Sequence, residues 1–137
     1  ISRQRFTNAY PATLSAQEFV NQLNAHAGGV LTDAEITQLE AVFGGPNESS
    51  ADVAKRSEVL RAVAENQILR HDEFNRAFVL MQYFGYLRRN PNDAQDTDYT
   101  GYDFWLRKLD QADGNYINAE MVKAFISSIE YRQRFGQ

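Results

Sequence analysis

Between Asn92 and Asp103 the chain crowds Asn92, Asp93, Asp96, Asp98, Thr100 and Asp103 into one short stretch. Hard oxygen donors at this density are what calcium takes, six to eight of them at a time. Asp96-Thr97-Asp98-Tyr99-Thr100-Gly101 reproduces the first half of an EF-hand loop, with oxygens at positions one, three and five and glycine at six. The second half departs, because position twelve, where a bidentate Glu closes the cage, is Arg107. Asp110 to Met121 is a second near miss: Ala112 replaces an oxygen ligand and Met121 takes the closing position. Asp93, Asp96, Asp98 and Asp103 are therefore the candidate metal ligands and calcium the candidate cofactor. The competing reading, which is simpler, is a solvated acidic loop whose Asp and Thr side chains cap the next helix and bind no cofactor.

Other chemistry is scarce. His26 and His71 have no His or Cys companion at metal-ligand spacing, and His26 falls near a helix C-terminus, where positive charge is favourable. There is no cysteine, no Gly-x-Ser-x-Gly elbow, no phosphate-cradling glycine loop and no His-Glu-x-x-His. The expectation is a protein that is not an enzyme. Aromatic residues are unevenly spread, 13 of the 17 lying between Phe74 and Phe135. Most belong to a core, but Tyr99, Tyr102, Phe104 and Tyr116 fall in or next to loops. Tyr99, Tyr102 and Phe104, with Arg88 and Arg89 nearby, form a candidate protein-binding patch.

Helices must position these residues. Ser15 with Glu18 is a capping box, followed by Ala16, Phe19, Val20, Leu23 and Ala27 at helical spacing up to Gly28-Gly29. Thr32 with Glu35 repeats the signal, and Ile36, Leu39 and Phe43 run to Gly44-Gly45-Pro46. Val53, Val59, Leu60, Val63, Ala64 and Gln67 mark a third helix. Asp72 opens a fourth, apolar almost all round from Phe74 to Leu87 and so expected to be central and fully packed, with Gly85 marking a close helix approach. Thr100 caps a fifth through Tyr102, Trp105, Leu106 and Leu109, and Asn118 a sixth through Val122, Phe125, Ile126 and Ile129. A short seventh turn is expected around Glu130 to Phe135. No period-two alternation is long enough for a sheet. The predicted fold is all-α, a compact bundle of about six helices.

The composition fits one domain over 1–137. With Lys plus Arg 14, Asp plus Glu 18 and a net charge of −4, it has no basic footprint for nucleic acid. Its longest apolar stretch, around 77–87, is half of the ~20 residues a bilayer demands, so no membrane insertion is expected. An internal repeat organises the chain. Phe19, Leu23, Gly28 to Thr32 and Ala34-Glu35-Ile36 are echoed by Trp105, Leu109, Gly114 to Asn118 and Ala119-Glu120-Met121. The echo predicts a duplicated helical hairpin: repeat one over about 1–45, a connecting helix over about 51–69, and repeat two over about 72–137. Arg3-Gln4-Arg5-Phe6 returns as Arg132-Gln133-Arg134-Phe135, as it would if modules followed one another in an array. Ile1 stands where an initiator methionine would, with no charged or apolar leader after it, which suggests processing from a longer chain.

The runs Glu73 to Phe78, Tyr83 to Pro91, Gly101 to Leu106 and Ala119 to Phe125, with Ser128, Glu130-Tyr131-Arg132 and Arg134-Phe135-Gly136, resemble an uncharacterised all-helical bacterial domain family. That family is itself similar to phycobilisome linker domains, and occurs in secreted and cell-surface proteins beside S-layer, calcium-repeat or other extracellular modules. The resemblance covers roughly the last half of the chain. Its pattern runs from a tyrosine-rich helix through an Arg-x-Pro turn, here Arg89-Asn90-Pro91, to a Gly-x-x-aromatic-Trp helix, and residues 92–100 are an insertion before Gly101. The resemblance implies no catalytic residues and no assigned ligand. It implies an extracellular or cell-surface location and a role in assembly. The function expected is a non-enzymatic structural module that associates with other protein chains, including copies of itself in a filament or surface layer. The alternative is a calcium- or ligand-binding accessory domain of a larger secreted protein.

Overall fold

A computed structural model describes residues 3–136; Ile1, Ser2 and Gln137, the ends of the 1–137 span, lie outside the described residues. Eight α-helices are found among the described residues: α1 (Gln4–Ala9), α2 (Ala16–His26), α3 (Asp33–Phe43), α4 (Val53–Ala64), α5 (Gln67–Gln82), α6 (Thr100–Gln111), α7 (Met121–Ser127) and α8 (Ile129–Phe135). A π-helical turn, Tyr83–Leu87, extends α5. Among the described residues there is no strand, only an isolated bridge between Ser15 and Ser49. The chain is all-α, with eight helices where about six are predicted. It divides into two compact units, Ile1–Arg70 and His71–Gln137.

In the first unit both capping boxes form as their spacing requires. Ser15 accepts from the Glu18 amide while Glu18 accepts from the Ser15 amide, and Thr32 and Glu35 do the same. The remaining donors at the start of α2 meet the α3–α4 connection: the Ala16 amide donates to Glu48 at 2.8 Å and the Gln17 amide to Pro46 at 3.0 Å. This leaves the first three amides of α2 with partners, a requirement for a buried helix start. Phe19, Val20, Leu23, Phe43, Val59 and Val63 bury the apolar stripes of α2, α3 and α4, with Tyr10 beside them. The third helix stops at Ala64, because Asn66 Oδ1 accepts from the Ile68 and Leu69 amides and begins α5 there. Asp72 is consequently inside α5 and not at its start.

In the second unit the core is Val79, Tyr83, Leu87, Leu109, Ala119, Met121 and Phe125. Helix α5 is not packed all round: Phe74 and Met81 are 62% and 60% exposed while Asn75, Val79 and Gln82 are buried. Gly85 marks no close approach, since a Cβ built there meets nothing within 4 Å. It lies in the π turn, where the helix widens and Arg88 leaves it in the left-handed region at φ 53°. The predicted caps also move by two or three residues. Asp98, not Thr100, accepts from the Thr100 amide at 2.8 Å before α6. Asn115, not Asn118, accepts from the Ile117 and Asn118 amides, and α7 begins only at Met121.

Candidate functional site

The second unit concentrates its polar chemistry on Arg89, which follows the π turn with its side chain only 8% exposed. A buried guanidinium is tolerated only where its five N–H donors are matched. Here Nε donates to Glu130 Oε1 at 2.7 Å and Nη2 to Glu130 Oε2 at 3.1 Å, a bidentate pair reaching from α8. Nη2 also reaches Asp96 Oδ2 at 2.7 Å, and Nη1 donates to the Asn90 and Pro91 carbonyls at 3.0 and 3.2 Å. The guanidinium lies 5.2 Å from the centre of the Tyr83 ring. Its hydrogen bond to Glu130 is the main cause that holds the Arg89 pKa above its ordinary value, with burial opposing it. With its donors engaged inside the unit, Arg89 ties α8 and the acidic loop to the proline turn and offers nothing to an external anion.

A cleft of about 240 Å³ opens beside this node, lined by Tyr83, Asp96, Gly101, Trp105 and Ser128 among others. Gly101 lets α6 approach: a Cβ there would stand 2.9 Å from the Tyr83 hydroxyl. Burial, reinforced by Asp96, pushes the Tyr83 phenol from 10.0 up to about 12. The folded state thus holds the neutral phenol, so the stability linked to it is complete below pH 10 and is lost as pH rises through about 12. Burial also raises the Tyr10 and Tyr102 phenols, and a spectrophotometric tyrosine titration of the native protein is expected to show a phenol near pH 12 that is absent in Tyr83→Phe. A phenol that still titrates near pH 12 in that variant would assign it elsewhere.

The four aspartates singled out as ligands take separate posts. Asp93 Oδ2 accepts from the Asn90 amide at 2.8 Å, Asp96 pairs with Arg89, and Asp98 accepts from Thr100, whose hydrogen bonds lower the Asp98 pKa. Asp103 is exposed in the first turn of α6, where the helix dipole favours a carboxylate. Among the described residues no group of three or more His, Cys, Asp or Glu side chains is poised around a metal ion. His26 bonds through Nδ1 to the Tyr10 hydroxyl at 2.5 Å, and its ring meets Tyr10 edge-on.

Of the candidate interaction residues, Tyr99 and Phe104 are 51% and 47% exposed and Arg88 is exposed. Tyr102 is half-buried, its hydroxyl donating to the Arg76 carbonyl at 3.1 Å, and Arg89 is withdrawn into the node. A second aromatic surface was not singled out by sequence as a patch. Phe74 stacks on Phe78 at 6.2 Å between ring centres, and Phe78 on Tyr116 at 5.2 Å, with ring planes within 30° of parallel. Phe74, Tyr116 and the neighbouring Ile117 are exposed. Phe74 and Phe78 are four apart on α5, the one local sign of the strip. Glu130 was also missed as a node member; it stands forty-one residues from Arg89, and nothing local announces the pair.

Compared with known protein families, with curated proteins and with solved structures, the chain finds no match.

Proposed function

We propose that this protein is a non-enzymatic structural module that works by associating with other protein chains, copies of itself included. The observation that carries the reading is the Phe74–Phe78–Tyr116 strip continued by Ile117. Among the described residues, ten of the twelve exposed large hydrophobic side chains belong to the second unit. Monomeric proteins rarely leave aromatic surface stacked and open to water, and aromatic anchors dominate the energetics of protein interfaces. The resemblance to the helical family of secreted and surface proteins supports the same reading and an extracellular location. The duplication read from the sequence echo accords with a modular origin: α2 and α3 flank the Gly28-Gly29 turn, α6 and α7 the Gly114-Asn115 turn, and each pair follows a proline. The calcium reading loses ground to this one, because Asp93, Asp96 and Asp98 already serve the loop and the node.

Size-exclusion chromatography with light scattering, followed by negative-stain microscopy, tests the proposal. Mass is expected to rise with concentration, and Phe74→Glu with Tyr116→Glu to weaken association by roughly tenfold or more while helicity is unchanged. A monodisperse monomer at high concentration would sink it.

A further inference from the structure

We propose that His71, Asn75 and Asp113 bind a divalent transition-metal cation, at a site apart from the acidic loop. His71 and Asn75 stand four residues apart on α5 and so share a face. Opposite them is the turn that follows α6, where Gly114 adopts a positive φ of 73°. A Cβ built on Gly114 would lie 3.1 Å from His71 Nε2 and 3.1 Å from Asn75 Oδ1. The two heteroatoms therefore converge on the one residue of this turn that carries no side chain. Asp113 Oδ1 completes the set, 3.9 Å from His71 Nε2.

Asn75 is fully buried, and among the described residues nothing donates to its Oδ1. The amide is held in this orientation: Nδ2 donates to Asp110 Oδ1 at 3.0 Å, and the opposite orientation would set Oδ1 against that carboxylate. Asp110 is thus the positioning residue, and the acceptor it aims looks toward Gly114. His71 is arranged in a related way. Asp72 Oδ1 lies 3.6 Å from Nδ1, on the side of the ring away from Asp113. An imidazole nitrogen and an amide oxygen thus meet at the Gly114 turn, with a carboxylate oxygen 3.9 Å from the imidazole.

This mixture suits zinc, cobalt or nickel; calcium, which takes oxygen ligands, is disfavoured by the imidazole. The His71 side chain is 44% exposed and Asp113 fully so, which leaves an entry from solvent and room for water to complete the coordination shell.

Calorimetry of the 137-residue chain with zinc chloride in chelator-treated buffer is the test. One-to-one binding is expected, weakened about tenfold or more by His71→Ala and roughly 10–100-fold by Asp110→Ala, which releases the amide. Cobalt(II) is expected to give a visible ligand-field spectrum that His71→Ala abolishes. The Asp98→Asn, Asp103→Asn double variant, altered in the acidic loop and the first turn of α6, is expected to bind as the parent does. Absence of binding, binding indifferent to His71→Ala, or binding lost in the loop variant would each overturn the proposal.

Discussion

Arg89→Ala is expected to destabilise the second unit by about 3–5 kcal/mol, the range for removing one partner of a buried ion pair. Glu130, its side chain 12% exposed, would keep its burial and lose both bidentate contacts. The Asn90 and Pro91 carbonyls would lose their donor as well. Asp96, 38% exposed, can turn to water and adds less. Urea unfolding followed by far-ultraviolet dichroism measures the loss, and limited proteolysis is expected to cut first between Asn90 and Tyr99, the segment the guanidinium gathers. Arg89→Lys should recover little, because an ammonium cannot reproduce the fork on Glu130 while also reaching Asp96. Combining Arg89→Met with Glu130→Leu should restore much of the stability, since removing both charges leaves none stranded. An Arg89→Ala protein that unfolds at the parent midpoint would show that the node holds nothing together.

The readable parts of the fold were those set by neighbours in sequence. Ser15 with Glu18 and Thr32 with Glu35 name their own partners, so α2 and α3 start where the spacing places them and end at their glycines. Caps drifted where several candidates compete. Asp98 sits two residues before Thr100 and Asn115 three before Asn118, and a short polar side chain reaches an amide two or three residues on with equal ease. Helix α5 misled for another reason. Phe74, Phe78, Val79, Met81 and Tyr83 look alike in a count of apolar residues, yet only Val79 and Tyr83 are buried. Hydrophobicity says that a residue gains by leaving water, not whether its own chain supplies the cover. The acidic loop was legible as a cluster and illegible in purpose, because its organiser, Arg89, draws on Glu130 from the far end of the unit. Asn75 was passed over for the same reason: its neighbours Asp110 and Gly114 are brought to it by folding alone.

Arg56→Ala should cost the first unit about as much, at least ~3 kcal/mol, by a different route. Arg56 is 4% exposed and among the described residues makes no ion pair; carbonyls take the place of carboxylates. Nη1 donates to Tyr10 at 2.7 Å, Nη2 to Pro11 at 2.7 Å and to Ser50 Oγ at 2.9 Å, and Nε to the Ser50 carbonyl. The guanidinium carbon lies 4.6 Å over the Phe19 ring. Burial lowers the Arg56 pKa, yet the carbonyl dipoles and the aromatic face solvate the cation. Truncation leaves several carbonyls without donors, each worth about 1–3 kcal/mol where water cannot reach. The two units therefore meet one need in two ways: each clamps the turn at its proline, Tyr10-Pro11 or Asn90-Pro91, onto a buried arginine beside a buried ring. The difference predicts a contrast. Removing Glu130 along with Arg89 should relieve the second unit, whereas Arg56 has no acidic partner to remove, so Arg56→Met should remain nearly as damaging as Arg56→Ala. Amide exchange should show protection lost first at Tyr10, Leu14 and Ser50, ahead of α3. Protection at those amides unchanged in Arg56→Ala would mean that the turn at Pro11 holds without its clamp.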